Sequence, residues 1–210
     1  MTINNNILEE INKDLSYFEN SKLMIVTKNQ SIQDIETLIS KGFRLFGENR
    51  VQEAKQKYER FQCHENLELH MIGPLQTNKV KIALKIFDTI QSIDRYSLVD
   101  EISKVSSKNI CRTEKFYIQV NIGDENQKSG VLTNDLFDLY EYSIKKKLHI
   151  AGLMCIPPNI QDPSKYFEQI KNIRDKIDKN LNLSMGMSND YKYALKHSSN
   201  LIRIGSLIFT

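Results

Sequence analysis

The chain has no tryptophan and only three cysteines, Cys63, Cys111 and Cys155, in 210 residues. The cysteines are odd in number and far apart. With no CxxC pair and no Cys/His cluster, neither a zinc site nor a disulfide framework organises the fold. Free thiols suit a reducing compartment. The N-terminal stretch, MTINNNILEEINKDL, offers no apolar core for a signal peptide. No apolar run reaches the length that spans a bilayer. Charge of one sign is lacking too: a net +3 is too small to argue for nucleic acid or a membrane surface. The one tight basic run, Lys145 to Lys147, closes a predicted helix, where cations favour the helix dipole. HExxH, a P-loop and a nucleophile elbow are also missing. These absences point to a soluble cytoplasmic protein with no metal, nucleic-acid or membrane partner.

What is present is a hydrophobic fraction of 40%, ordinary for one globular core, arranged in a regular rhythm. A helix is predicted over roughly 4–19. Apolar runs at 23–27, 43–46, 67–72, 87–92, 116–122, 149–154, 181–185 and 201–204 then predict eight strands. All but the last are followed by a stretch of helical period. Ser31 is a helix-start signal and Gly42 a helix-end signal. Alternating strands and helices imply a parallel sheet, and eight such units favour closure into a (β/α)₈ TIM barrel. A doubly wound sheet would normally carry a Gly-rich turn after its first strand. Here that turn is Thr27-Lys28-Asn29-Gln30. With no linker or low-complexity tract, residues 1–210 are expected to form one α/β domain, a single barrel with an extra N-terminal helix.

In such a barrel the chemistry sits at the C-terminal ends of the strands. Lys28 ends the first strand on the face of Met24 and Val26. Deprived of water there, its amine would be neutral and able to attack an aldehyde. Taken alone, a strand-end lysine that snorkels to solvent has the better claim. The last two strand ends shift that balance. Gly186-Met187-Ser188-Asn189-Asp190 permits a tight turn, and Ser188 can cap the next helix while facing an anion. Gly205-Ser206 is a second small turn beside it, and phosphate sites recur at this place in the fold. Arg203 shares a face with Leu201 and Gly205. An inward arginine is costly unless paired, and the residues leave a structural salt bridge and a ligand contact equally open. Asn49 is a candidate hydrogen-bonding residue in a stretch that also reads as an acidic helix start. His70, opposite Leu69 and Met71, is expected to pack among the outer helices. Glu125 and Lys128 are expected in a surface loop, and Met71, Met154, Met185 and Met187 in the core.

Several segments together resemble the pyridoxal phosphate homeostasis proteins, single-barrel relatives of alanine racemase. They include Val26-Thr27-Lys28, Phe46-Gly47-Glu48-Asn49, His70 to Lys79, Ser92-Ile93-Asp94-Arg95, and Asn121 with Lys128-Ser129-Gly130. Gly152-Leu153-Met154, Leu183 to Asp190 and Ile202 to Phe209 complete the set. The resemblance runs in order along nearly the whole chain, and GMSxD with RIG[ST]xIF is its most specific part. It implies an alanine racemase N-terminal-domain type of barrel that holds pyridoxal 5′-phosphate as a Schiff base on Lys28. Ser188, Gly205 and Ser206 would cradle the phosphate, helped by the Met187 backbone. Arg203 would face the pyridine nitrogen, and Asn49 would line the ring pocket. Two departures stand out. Relatives usually carry a glycine near Ser198, where this chain has His197-Ser198-Ser199. They usually continue past Phe209 with a glycine and a basic tail, where this chain has Thr210.

Three functions remain in competition: a monomeric cofactor carrier that supplies apo-enzymes, an amino-acid racemase, and a Schiff-base aldolase acting on a phosphorylated sugar. The aldolase leaves Arg203 without a task. A racemase needs a second base opposite Lys28, which alanine racemases take from an extra domain not found in this sequence. A protein that handles the cofactor without turning over a substrate is the reading expected.

Overall fold

In the computed structural model, residues 3–61 and 66–209 are described. Cys63 lies outside them, and Cys111 and Cys155 are free thiols. Helix α1 (Asn5–Leu15) opens the chain, with the Asn4 side chain accepting the Ile7 N–H. Its apolar stripe buries Leu8 and Ile11. Strand β1 (Lys22–Val26) follows. Helix α2 (Ile32–Ser40) begins with a full capping box, in which Ser31 and Asp34 satisfy each other's backbone N–H groups, an arrangement worth about 1 kcal/mol. It ends in a Schellman turn. Gly42, at φ +92°, donates to Ile39 O, and Phe43 donates to Leu38 O.

The rhythm then repeats through β2 (Leu45–Glu48), α3 (Val51–Tyr58), β3 (Glu68–Met71), α4 (Val80–Ile86), β4 (Thr89–Ile93) and α5 (Tyr96–Ser106). It continues with β5 (Lys115–Val120), α6 (Leu136–Lys145), β6 (Ile150–Cys155), α7 (Ser164–Ile177), β7 (Asn182–Ser184), α8 (Tyr191–Lys196) and β8 (Leu201–Ile204). All neighbours pair in parallel, and β8 closes on β1 with Met24 opposite Arg203. The structure is the closed (β/α)₈ barrel.

The two faces of the strands are unequal. Ile25, Phe46, Leu69, Met71, Ile90, Ile118, Leu153, Leu183, Ile202 and Ile204 point outward and join the helices in one continuous apolar layer. Met24, Tyr117, Met154 and Leu201 form a small separate cluster inside the barrel. The interior also holds a set of polar side chains. His70, Thr89, Gln91, Gln119, Ser184 and Arg203 are all buried on strands. His70 is therefore not among the outer helices as expected: only 2% exposed, it points into the barrel. Leu69 and Met71 mark the helix-covered face, and in a barrel that face is the more apolar one.

No helix among the described residues is long and apolar enough to cross a membrane.

Candidate functional site

Lys28 sits two residues beyond β1, exposed in the turn that closes with Gln30 N–H donating to Thr27 O at 3.0 Å. The desolvated lysine of the expectation is not what the structure holds, because the mouth is open there. The backbone on either side is nonetheless fixed. Thr27 Oγ1 donates to Glu48 Oε1 at 2.7 Å and lies 2.8 Å from Tyr58 Oη. Lys57 Nζ donates to the Thr27 carbonyl at 2.6 Å, and Glu53 Oε1 accepts the Asn29 N–H at 2.5 Å. Asn29 is in the left-handed region at φ +61°. An acid–base cluster from β2 and α3 thus grips the residues before and after Lys28.

Arg203 spans the interior. Its Nη1 donates to Ser184 Oγ at 2.9 Å and its Nη2 to the Cys155 carbonyl at 2.8 Å. It is 4% exposed, and burial pulls its pKa down from the ordinary arginine value while Cys155 and Asp190 counter that pull. Burial pushes the neighbouring Cys155 thiol up to about 12. A guanidinium stays charged under such conditions. The two partners are neutral, so this is not a salt bridge.

The two small turns meet. Ser206 Oγ donates to Ser188 Oγ at 3.0 Å. Among the described residues, no backbone acceptor stands opposite the Ser188 or Ser206 amide. Gly186, at φ +94°, makes the first turn possible. At Gly205 a Cβ would come within 3.0 Å of the Val26 carbonyl, so the backbone of β8 lies directly against the end of β1. Two expectations change here. Ser188 does not cap the following helix, which starts at Tyr191 behind Asp190. The Met187 N–H is already given to Asp190 Oδ1 at 2.5 Å, so it is not a free donor.

Asn49 follows β2, whose Gly47 pairs with Val26 of β1, so it stands beside the turn that carries Lys28. There, with Met71, Pro74, Asp94, Arg95 and Ser129, it lines a cavity of about 850 Å³. A Cβ on Gly73 would collide with the Asn49 backbone, so only glycine lets the third strand end approach it. The loop after β5 is a surface loop, as expected, and it is tied down. Lys128 Nζ donates to Pro157 O at 2.9 Å, and the Asn121 side chain pairs with the Glu125 backbone.

The structure gathers Lys28, Arg203, Gly205, Ser206, Ser188 and Met187 around the ends of β1, β7 and β8, with Asn49 at the end of the neighbouring strand β2. Sequence reasoning missed Gln91 and Ser184, and the cluster of Thr27, Glu48, Lys57 and Tyr58. For Gln91 and Ser184 a signal was present: in a helix-covered barrel, polar residues that alternate with apolar ones face inward.

Fold and site residues together define a barrel of the alanine racemase class, and the family model described as alanine racemase, N-terminal domain, matches residues 3–210. Curated relatives bear a narrower name. The pyridoxal phosphate homeostasis protein of Aquifex aeolicus is 38% identical over 90% of this chain and 86% of its own length. That of Haemophilus influenzae is 36% identical over 90% and 84%. This chain belongs to the family of pyridoxal phosphate homeostasis proteins. PipY of Synechococcus elongatus, solved without PLP, superimposes with a TM-score of 0.86 at 29% identity, covering 96% of this chain and 99% of its own. PipY with PLP bound gives 0.79 at 29%, covering 91% and 93%. Alanine racemase of Acinetobacter baumannii shares the fold at TM-score 0.78 and 15% identity, over 99% of this chain and 62% of that one.

Proposed function

We propose that this protein binds pyridoxal 5′-phosphate as a Schiff base on Lys28 and handles it inside the cell, shielding its aldehyde and supplying apo-enzymes, without substantial turnover of a substrate. The observation that carries the reading is the pairing of a mouth-side lysine with a buried arginine held by neutral partners on both sides. The residues fit the group. Lys28 offers an amine and Arg203 a fixed cation at the level of the strand ends. The joined serine turns offer hydroxyls and two uncommitted amides for a dianion, with Gly205 leaving no side chain in the way and Met187 spacing the first turn. Asn49, at the end of the strand next to β1, is placed to meet a ring substituent. The names of the curated relatives, and PipY's structure with PLP, support the same ligand.

Pyridoxal phosphate, when bound, supplies an electron sink for amino-acid chemistry. Two features of this chain weaken its use here. A guanidinium donates hydrogen bonds, accepts none and keeps its proton, so a ring nitrogen that faces Arg203 stays unprotonated and is a poorer electron sink. The tyrosine inside the barrel, Tyr117, lines the opposite, N-terminal mouth, and burial pushes it to about 12. It is no second base opposite Lys28.

The test is borohydride reduction of protein loaded with pyridoxal phosphate, followed by peptide mass spectrometry. The adduct is expected on Lys28 and is expected to vanish, with the visible absorbance band, in Lys28→Ala. An adduct on another lysine moves the site. Exchange of the alanine or serine Cα proton is expected to be negligible while an apo-enzyme is reactivated. Racemisation at ordinary turnover, roughly 1–10³ per second, and lost in Lys28→Ala, would replace the carrier with a racemase.

A further inference from the structure

Inside the barrel, five side chains form one unbroken line of hydrogen bonds from the candidate site to the opposite end. Arg203 Nη1 donates to Ser184 Oγ at 2.9 Å, and Ser184 Oγ donates to Gln91 Oε1 at 2.6 Å. Gln91 Nε2 meets His70 Nδ1 at 2.7 Å, and His70 Nε2 meets Glu68 Oε1 at 2.7 Å. Four strands, β8, β7, β4 and β3, contribute.

Donor chemistry gives the line a direction. A guanidinium has no acceptor, so Ser184 accepts from Arg203 and its one proton goes to Gln91. With its oxygen used, Gln91 turns its amide hydrogens to His70. His70 then accepts on Nδ1 and carries its proton on Nε2, facing the Glu68 carboxylate. Ser184 and Gln91 are fully buried and His70 almost so, so water offers them no alternative partner. Glu68 is different. Its side chain is 42% exposed, and it lines a cavity of about 390 Å³ at the N-terminal mouth with Lys22, Lys115 and His149.

Satisfying Arg203 needs only Ser184 and the Cys155 carbonyl. The line runs three residues further, through a barrel whose neighbouring interior positions hold Met24, Tyr117, Met154 and Leu201. Buried polar groups are costly unless every member is paired, and a fully paired set selects one geometry. Each link here fixes the rotamer of the next, and the last is anchored on a charge.

We propose that Ser184, Gln91 and His70 are positioning residues for Arg203: the directed line from Glu68 holds the guanidinium in the one orientation in which it meets the pyridine nitrogen of bound pyridoxal phosphate. This rests on the role given to Arg203 above. His70, far from the mouth, acts through two intervening side chains and touches no ligand.

The experiment uses full-length protein loaded with pyridoxal phosphate carrying ¹⁵N in the ring. It reads the ring-nitrogen chemical shift, the dissociation constant and the borohydride adduct on Lys28. Arg203→Gln should move the resonance. Ser184→Ala and His70→Leu should move it in the same direction by less and weaken binding roughly tenfold, the equivalent of about 1.4 kcal/mol. Ser184→Thr, which keeps the hydroxyl, should restore the native shift. The Lys28 adduct should form in all of them. If His70→Leu does not fold, His70→Asn, too short to reach Gln91, takes its place. Should Arg203→Gln shift the resonance while Ser184→Ala and the His70 variant leave it native, the line is mere filling and the inference falls, though Arg203 keeps its role. Should Arg203→Gln itself leave the resonance unmoved, the role of Arg203 falls, and the inference with it.

Discussion

Thr27 donates its hydroxyl proton to Glu48 Oε1 at 2.7 Å, tying the residue before Lys28 to the last residue of β2. Lys57 reaches the same carboxylate at 3.1 Å from α3. Glu48 is fully buried, its second oxygen has no hydrogen-bond partner among the described residues, and burial raises its pKa against the pull of Lys57. Lys57→Met strands that carboxylate. Removing one partner of a buried pair costs about 3–5 kcal/mol, and urea unfolding of the variant should show a loss of this size. Adding Glu48→Gln should recover much of it. An unchanged midpoint in Lys57→Met would mean that Glu48 is already protonated in the native protein.

The phosphate cradle predicts a preference between two ligands. If Ser188 and Ser206 donate to a dianion, each charge-assisted bond contributes about 1.5–3 kcal/mol. Fluorescence titration should then find unphosphorylated pyridoxal binding far more weakly than its phosphate ester. Ser188→Ala and Ser206→Ala should each reduce that difference. Equal affinities for the two ligands would remove the cradle from the site.

Ser198 sits in the left-handed region at φ +66°, between α8 and β8. Such a conformation costs a residue bearing a Cβ roughly 1–2 kcal/mol, while glycine adopts it freely but loses more entropy on folding. The balance favours Ser198→Gly, by about 0.5–1 kcal/mol. A melting temperature at or below that of the native chain would show the serine to be unstrained.

Acid should weaken the far end of the barrel first. The hydrogen bond from His70 holds the Glu68 carboxyl below its ordinary value of 4.5. A depressed carboxyl contributes stability above its unfolded pKa and loses it as pH falls through the folded one. Melts taken from neutral pH downward should therefore decline below about 4.5, and more gently in Glu68→Gln. Parallel curves for the two proteins would mean that Glu68 contributes nothing to the decline.

Much of this was legible along the chain. The boundaries of β8 agree with expectation to the residue, because local apolar period and flanking polar residues define them. Strand β2 begins two residues later than its apolar run. Phe43 is apolar for another reason: it closes the Schellman turn of α2, and a hydrophobic residue after a C-terminal glycine serves a helix end as well as a strand start. The candidate site residues stood out along the chain because lysine, arginine and small turns at strand ends are unusual enough to be noticed.

Which interior side chains meet is another matter. Alternation separates His70 from Leu69 and Met71, and in a helix-covered barrel the more apolar set faces the helices, but it names no partner on another strand. Only the closed barrel decided that, turning Gln91, Ser184 and His70 toward one another from three strands. The sequence alone determined the rhythm of elements and the residues at their ends, because period and turn chemistry are local. The tertiary structure decided the partners of Arg203 and of Thr27, because hydrogen bonds between residues 19 and 21 positions apart depend on sheet closure and helix docking.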